Sequence, residues 1–348
     1  MKKREVWLDV LRFLAAFLVI VNHTNDAYQM TAPVQGSWWL SIAWYVISKM
    51  GVPIYVMISG ACLLGREDSY RKCLARFARI MGALVVFSYL HFLHSAWLEG
   101  TLRQNALRLD LFGAKLLDQS INDAYWYLYF YAGLMLMLPL LQRLSRVMTQ
   151  RDLRYLTGMC LGFGMLWPML AQLFPALAMP EYFRPALFSA MIGLFFLGWQ
   201  LRQKPVPCAR QCALCVPVLI ACTALSLALL RLRYAQNVKY WLFMDDRQQP
   251  TPMVVCSAVC VMLLIRRLFQ HTSSQRMNRL WCELGQCSFG IYLVHQCLIN
   301  QTEFAIYQRL WSYMPAFFAG IVLELAVLGL SLAAAFVLRR TPAIRRLV

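Results

Sequence analysis

Val6-Trp7-Leu8-Asp9-Val10-Leu11-Arg12-Phe13-Leu14-Ala15-Ala16-Phe17-Leu18-Val19-Ile20-Val21-Asn22-His23 is an apolar run that carries an aspartate, an arginine and a histidine. A membrane-crossing helix needs about 20 mostly apolar residues, and this run approaches that length. The basic start Met1-Lys2-Lys3-Arg4 is followed by no small-residue cleavage site, so the run reads as an uncleaved first helix rather than a removable signal. Charges inside such a helix cost roughly 2.5–3.5 kcal/mol each on insertion scales, so their presence points to a function. Arg12 and His23 are eleven residues apart, which at 100° per residue is about 20° past three full turns. They therefore share one helix face, about 16 Å apart along the axis at 1.5 Å per residue. Asp9, three residues before Arg12, and Asp26, three residues after His23, fall on the same stripe. The stripe is predicted to face a protein-walled cavity. The competing reading makes Asp9–Arg12 an i,i+3 ion pair and His23 an interfacial residue.

Working outward, the same logic covers the whole chain. Its 348 residues are 60% hydrophobic and 14% charged, where globular proteins carry roughly 25% charged residues. Lipid must be the solvent for much of this surface. Further apolar spans are predicted at 40–64, 78–98, 124–142, 155–174, 184–201, 213–230, 251–268, 284–301 and 315–338, making about ten. This is an all-α, polytopic integral membrane bundle with no soluble domain, repeat or long linker. With an even number of spans both termini share one side. Placing the loops 65–79, 143–154, 202–212 and 266–283 with the termini puts roughly two thirds of the 34 Lys and Arg on that face, which the positive-inside rule makes cytoplasmic. The net charge of +18 thus reflects topology, and nucleic-acid binding is not expected. The twelve cysteines mostly sit inside apolar runs, where a thiol behaves as a small hydrophobe, and no disulfide framework is expected.

Several other spans carry polar signals. Gly285, Ser288, Tyr292 and His295 step by three, four and three along one helix face. This is either a polar wall or a packing seam with a satisfied histidine. Gly51-Val52-Pro53 inside an apolar span predicts a kink whose freed carbonyls line a cavity. Arg76 and Arg79, one turn apart at a cytoplasmic helix entry, can grip one polyanion, since the guanidinium fork suits phosphate. Arg71 and Lys72 read as topology signals. His91 and His94 share a face but lack a third ligand, so no metal is expected. Cys208, Cys212 and Cys215 match an iron–sulfur spacing, yet lie among apolar neighbours where coincidence is the better account. Glu324 and Arg184 are further charges in or beside spans, without an assigned partner.

The sequence Leu8-Asp9-Val10-Leu11-Arg12 followed by His23 resembles the family-3 membrane acyltransferases, whose hallmark is an Arg, ten intervening residues and a His in the first helix. The resemblance continues through Val52-Pro53-Ile54-Tyr55-Val56-Met57-Ile58-Ser59-Gly60, then Arg76-x-x-Arg79, then Trp126-Tyr127-Leu128, and closes with Ser288-Phe289-Gly290-Ile291-Tyr292-Leu293-Val294-His295. It extends over nearly the whole chain and is closest in length to the stand-alone subgroup that includes the O-acetyltransferase of enterobacterial common antigen. Ile54-Tyr55 replaces a frequent Phe-Phe, and Cys62 stands where an aromatic commonly follows Ser-Gly.

The resemblance implies one transmembrane acyltransferase domain over 1–348 in a bacterial inner membrane. It moves an acyl group, by preference acetyl, from cytoplasmic acyl-CoA to a hydroxyl of a surface polysaccharide or lipid-linked glycan. In that frame His23 is the general base, oriented by Asp26, or else a transient acyl carrier. Arg12 holds a pantetheine carbonyl or the developing oxyanion, and Arg76 with Arg79 holds the phosphates of acetyl-CoA. Ser59, Trp126, Tyr292 and His295 are candidates for the acceptor or thioester pocket. The partners expected are acyl-CoA, the glycan acceptor and membrane lipid. The rival function is a secondary transporter or flippase, since a polar stripe with broken helices also describes a solute path.

Overall fold

A computed structural model describes residues 5–24, 38–178, 180, 189–235, 250–270, 274–342 and 344–348. Among them the chain is helical and forms no β-strand. The longer helices are α1 (Val6–Thr24), α2 (Trp38–Ser48), α3 (Gly51–Leu63), α4 (Tyr70–Leu98), α5 (Leu109–Leu117), α6 (Trp126–Val147), α7 (Gln150–Leu161), α8 (Ala190–Gln203), α9 (Ala209–Ala235), α10 (Pro252–Leu268), α11 (Gln275–Thr302) and α12 (Ala316–Arg340).

Among the described residues, seven segments are long and apolar enough to cross a membrane: Val6–Thr24, Trp39–Leu63, Tyr70–Leu98, Asp123–Val147, Gln150–Leu173, Ala209–Leu232 and Ala316–Arg340. The sequence predicts about ten. Of the span expected at 184–201, residues 184–188 lie outside the described residues, and the rest falls in the 14-residue α8, which rises about 21 Å. The span at 251–268 is the 17-residue α10. The span at 284–301 lies inside the 28-residue α11, where Gly285, Gln286, Ser288 and His295 dilute the apolar run.

Local chemistry sets the helix ends. The predicted kink falls at a two-residue turn, with α2 ending before Lys49–Met50 and α3 starting at Gly51. Pro53 has no N–H to give the carbonyl of Lys49, and its ring crowds that carbonyl. α4 begins at Ser69, whose hydroxyl accepts the Lys72 N–H at 3.3 Å. α7 begins with a reciprocal box: Thr149 Oγ1 accepts the Asp152 N–H at 3.2 Å and Asp152 Oδ2 accepts the Thr149 N–H at 2.9 Å. Such pairs satisfy donors that a helix start leaves open.

The described chain forms two compact units. The first comprises Met1–Gly65, Ser145–Ser288 and Pro315–Phe317. Here α3 packs against α1, α8 and α10, and α9 packs against α2 and α10. The α3–α8 contact is backbone on backbone. A Cβ at Gly60 would fall 1.7 Å from the Phe195 carbonyl oxygen, and one at Gly198 would fall 2.0 Å from that of Met57. The glycines thus define how closely two helices approach. Arg266 Nη1 and Nη2 donate to the carbonyls of Leu201 at 2.7 Å and Lys204 at 2.8 Å, satisfying the open C-terminal end of α8.

The second unit comprises Arg66–Leu144, Phe289–Met314 and Phe318–Val348. An aromatic cluster joins α4 to α5, with the Tyr89 and Phe112 rings 5.1 Å apart and Phe92 and Phe112 5.8 Å apart. The C-terminal part of α11 meets α12 closely, since a Cβ at Gly290 would stand 2.7 Å from the Ala335 Cβ.

Candidate active site

In the first unit the polar residues gather around α1. The helix is unbroken from Val6 to Thr24, so the eleven-residue spacing keeps Arg12 and His23 on one face. Asp9 is buried, and its Oδ1 accepts Arg12 Nη1 at 2.7 Å. The i,i+3 pair is therefore present. It is not the whole environment of Arg12, whose Nη2 donates to the Cys62 thiol at 3.2 Å. These two bonds leave N–H donors of the guanidinium, which has five in all. His23 stands half-buried in the last turn of α1. Asp26 lies outside the described residues, as does Arg184.

α3 supplies the facing wall. Most of its residues are buried, while Val52, Tyr55, Ser59, Cys62 and the last residue, Leu63, remain half-buried; the first four step by three, four and three along one helix face. Cys62 meets Arg12 from this stripe, and the buried Tyr55 hydroxyl lies by Ser288 of α11 and in the field of Arg12. Gly285 explains why α11 can reach this place. A Cβ there would fall 2.6 Å from the Asp9 Cβ, so only glycine admits the close approach. Ser288, one turn on, donates to the Gly285 carbonyl at 2.8 Å. The site thus joins a charged pair, a thiol, a phenol and the Ser288 hydroxyl on three helices.

The polar face predicted on α11 divides between the two units. Gly285 and Ser288 belong to the first, Tyr292 and His295 to the second. In the second unit the Tyr292 hydroxyl donates to the Ala124 carbonyl, and the Tyr125 hydroxyl donates to the Leu293 carbonyl at 2.6 Å. This crossed pair of tyrosines clasps α11 to the start of α6. Trp126, next in sequence, is half-buried. His295 is fully buried, with Nδ1 2.6 Å from the Tyr292 carbonyl, so Nδ1 carries the proton there. His91 Nδ1 lies 2.9 Å from the Cys297 thiol, and the His91 and His94 rings are 6.2 Å apart. No third ligand completes a metal cluster among the described residues. Cys208, Cys212 and Cys215 are free thiols, like the other nine cysteines.

The entry to α4 holds the predicted arginine pair and a feature that sequence spacing does not announce. Arg76 Nη1 donates to Asp68 Oδ2 at 2.6 Å. Arg79 is exposed, its Nε donates to the Leu347 carbonyl at 3.4 Å, and its guanidinium lies 5.9 Å from the Phe289 ring centre. Burial pushes the Asp68 carboxyl up, but bonds from Lys72, Arg76 and Gln142 outweigh it and hold the group well below the usual carboxylate range.

A multi-pass helical chain whose first helix carries a buried Asp–Arg pair defines the class: an integral membrane protein with an embedded ionic centre. The family follows from comparison. A family model described as an acyltransferase domain matches residues 5–340, so the chain belongs to the family-3 acyltransferases and is a membrane acyltransferase. No curated protein and no solved structure matches it.

Proposed function

We propose that the chain is one catalytic domain of ten spans, with both termini cytoplasmic, in a bacterial inner membrane. In this reading it O-acylates a cell-surface polysaccharide or lipid-linked glycan, with acetyl-CoA as donor, as the enterobacterial common antigen subgroup does. The observation that supports it best is the arrangement around Arg12. A cation anchored by one buried carboxylate, with donors to spare and a phenol and hydroxyl beside it, suits an amide carbonyl of the pantetheine arm, with His23 farther along the same helix face.

The proposed sequence of events is short. His23 takes the proton of the acceptor hydroxyl as its oxygen attacks the thioester carbonyl. Arg12, about 16 Å from His23 along the helix axis, holds a carbonyl of the donor's pantetheine arm and so places the thioester beside His23. Collapse of the tetrahedral intermediate breaks the C–S bond, and the proton held by His23 passes to the departing thiolate, giving the ester and CoA-SH. In the covalent variant the His23 nitrogen attacks first, CoA-SH leaves, and the hydroxyl then takes the acyl group from the imidazole. Asp26 orients His23 in either case. Arg76 and Arg79 bind the donor phosphates, while Ser59, Trp126, Tyr292 and His295 shape the pockets for thioester and acceptor. No metal is required by this chemistry.

The deciding experiment supplies purified full chain in detergent with labelled acetyl-CoA and an undecaprenyl-linked glycan. The expected result is release of CoA-SH and a labelled, base-labile ester on the glycan. Absence of both, with solute movement in reconstituted vesicles, would replace the reading by the transport alternative.

A further inference from the structure

Asp68 lies two residues before α4, with a side chain only 3% exposed. Its Oδ1 accepts Lys72 Nζ at 2.5 Å. Its Oδ2 accepts Arg76 Nη1 at 2.6 Å and Gln142 Nε2 at 3.1 Å. Gln142 is 1% exposed on α6, and its Oε1 accepts the Asp68 backbone N–H at 3.1 Å. Carboxylate and amide thus hold each other through two reciprocal bonds, 74 residues apart in the chain. A carboxylate that merely balanced surface charge would need neither the burial nor the amide.

The arrangement matters because of what it leaves available. Asp68 engages one N–H of a guanidinium that has five, and the Arg76 side chain remains 23% exposed. Arg66, Arg71, Lys72, Arg76 and Arg79 supply five cations against the two carboxylates of Glu67 and Asp68, so the entry stays attractive to polyanions. An arginine already held in one orientation loses less freedom when it binds, and a bidentate fork works only when its plane is set. We propose that Asp68, fixed by Gln142, is the positioning residue of the donor's phosphate site, orienting Arg76 and Lys72 toward the polyphosphate of acyl-CoA. This rests on the reading that Arg76 and Arg79 bind that polyphosphate.

The test titrates free CoA into the purified full chain and measures steady-state transfer from acetyl-CoA, with melting temperature recorded for every variant. For Asp68→Asn, the Kd for CoA and the KM for acetyl-CoA should rise together by about ten-fold, with kcat changed far less. Asp68→Glu should restore most of the affinity. Gln142→Met, which keeps the carboxylate but frees it, should move both constants the same way by about three-fold, so the inference stays testable if Asp68→Asn does not fold. A folded Asp68→Asn that binds CoA as well as or better than wild type would overturn the inference and leave the donor reading intact. A role in folding alone would lower the melting temperature and active fraction without moving KM, and would overturn it too. Failure of the wild-type chain to bind CoA would remove the donor reading itself, and this inference with it.

Discussion

Each unit of the molecule builds an aspartate–arginine pair with a buried carboxylate, and the two, nearly equal in length, differ in how they are held. Asp9–Arg12 closes at 2.7 Å, with the carboxylate 1% and the guanidinium 31% exposed. Asp68–Arg76 closes at 2.6 Å, with 3% and 23%. Asp9 is given a cation by the helix period alone, and the second contact of Arg12 is a soft thiol. Asp68 is gripped by two cations and an amide from another helix. A guanidinium held at one firm point keeps donors open for a passing carbonyl, whereas one tied into a network offers a fixed surface. On this difference rests the proposed division of labour: Arg12 holds the donor's pantetheine arm, and Arg76 its phosphates.

The strongest break would come at the α1 stripe. His23→Ala should lower kcat by about 10³-fold or more in a protein that still folds, because a positioned base contributes about 10²–10⁴-fold. Near-normal turnover would remove His23 from the chemistry. Next, Arg12→Gln should cost about 10²-fold in kcat/KM for acetyl-CoA, because the thioester is then misplaced relative to His23. An unchanged kcat/KM would take Arg12 out of the donor's path, and the contrast would dissolve. The double variant Arg76→Ala with Arg79→Ala should instead raise the acetyl-CoA KM by about 10–100-fold. A fall in kcat alone would overturn the phosphate assignment.

Smaller effects sharpen the frame on which the pairs sit. Gly198→Ala forces a Cβ to within 2.0 Å of the Met57 carbonyl, and should destabilise the fold by about 3 kcal/mol or lose it, since overpacking against backbone has no cheap relief. A thermal melt unchanged from wild type would mean that α3 and α8 do not meet at this glycine. The least effect concerns acid. The carboxyl of Asp68 has its folded value lowered from 3.8, so its contribution is complete above that value and declines as pH falls through the folded value below it. Wild type should lose stability in this acid range, and Asp68→Asn should lack that part of the loss when both are melted against pH.

How much of this was legible depends on the range of the contacts. The α1 stripe was, because Asp9, Arg12 and His23 are related only by helix period. The turn before α3 was also legible, because Pro53 acts locally. The arginine pair could be seen, but its carboxylate could not. Gln142 and Asp68 are separated by 74 residues, and no periodicity connects them. Cys62 drew notice only as a departure from the family pattern, and its contact with Arg12 spans 50 residues. The α11 face reads as one stripe in the sequence, and its halves serve different neighbours: Asp9 and Tyr55 for Gly285 and Ser288, Ala124 for Tyr292.

By itself the sequence determined that this chain is a helical membrane protein, which helix carries its charges, and on which side those charges line up. Those properties follow from composition and from 3.6 residues per turn, and every residue takes part in them locally. The tertiary structure alone decided which acid meets which base across the chain, which tyrosine hydroxyl finds which carbonyl, and which glycines bring backbones together. Such choices depend on how helices cross, and a crossing is set by the shapes of two surfaces that one stretch of sequence cannot describe.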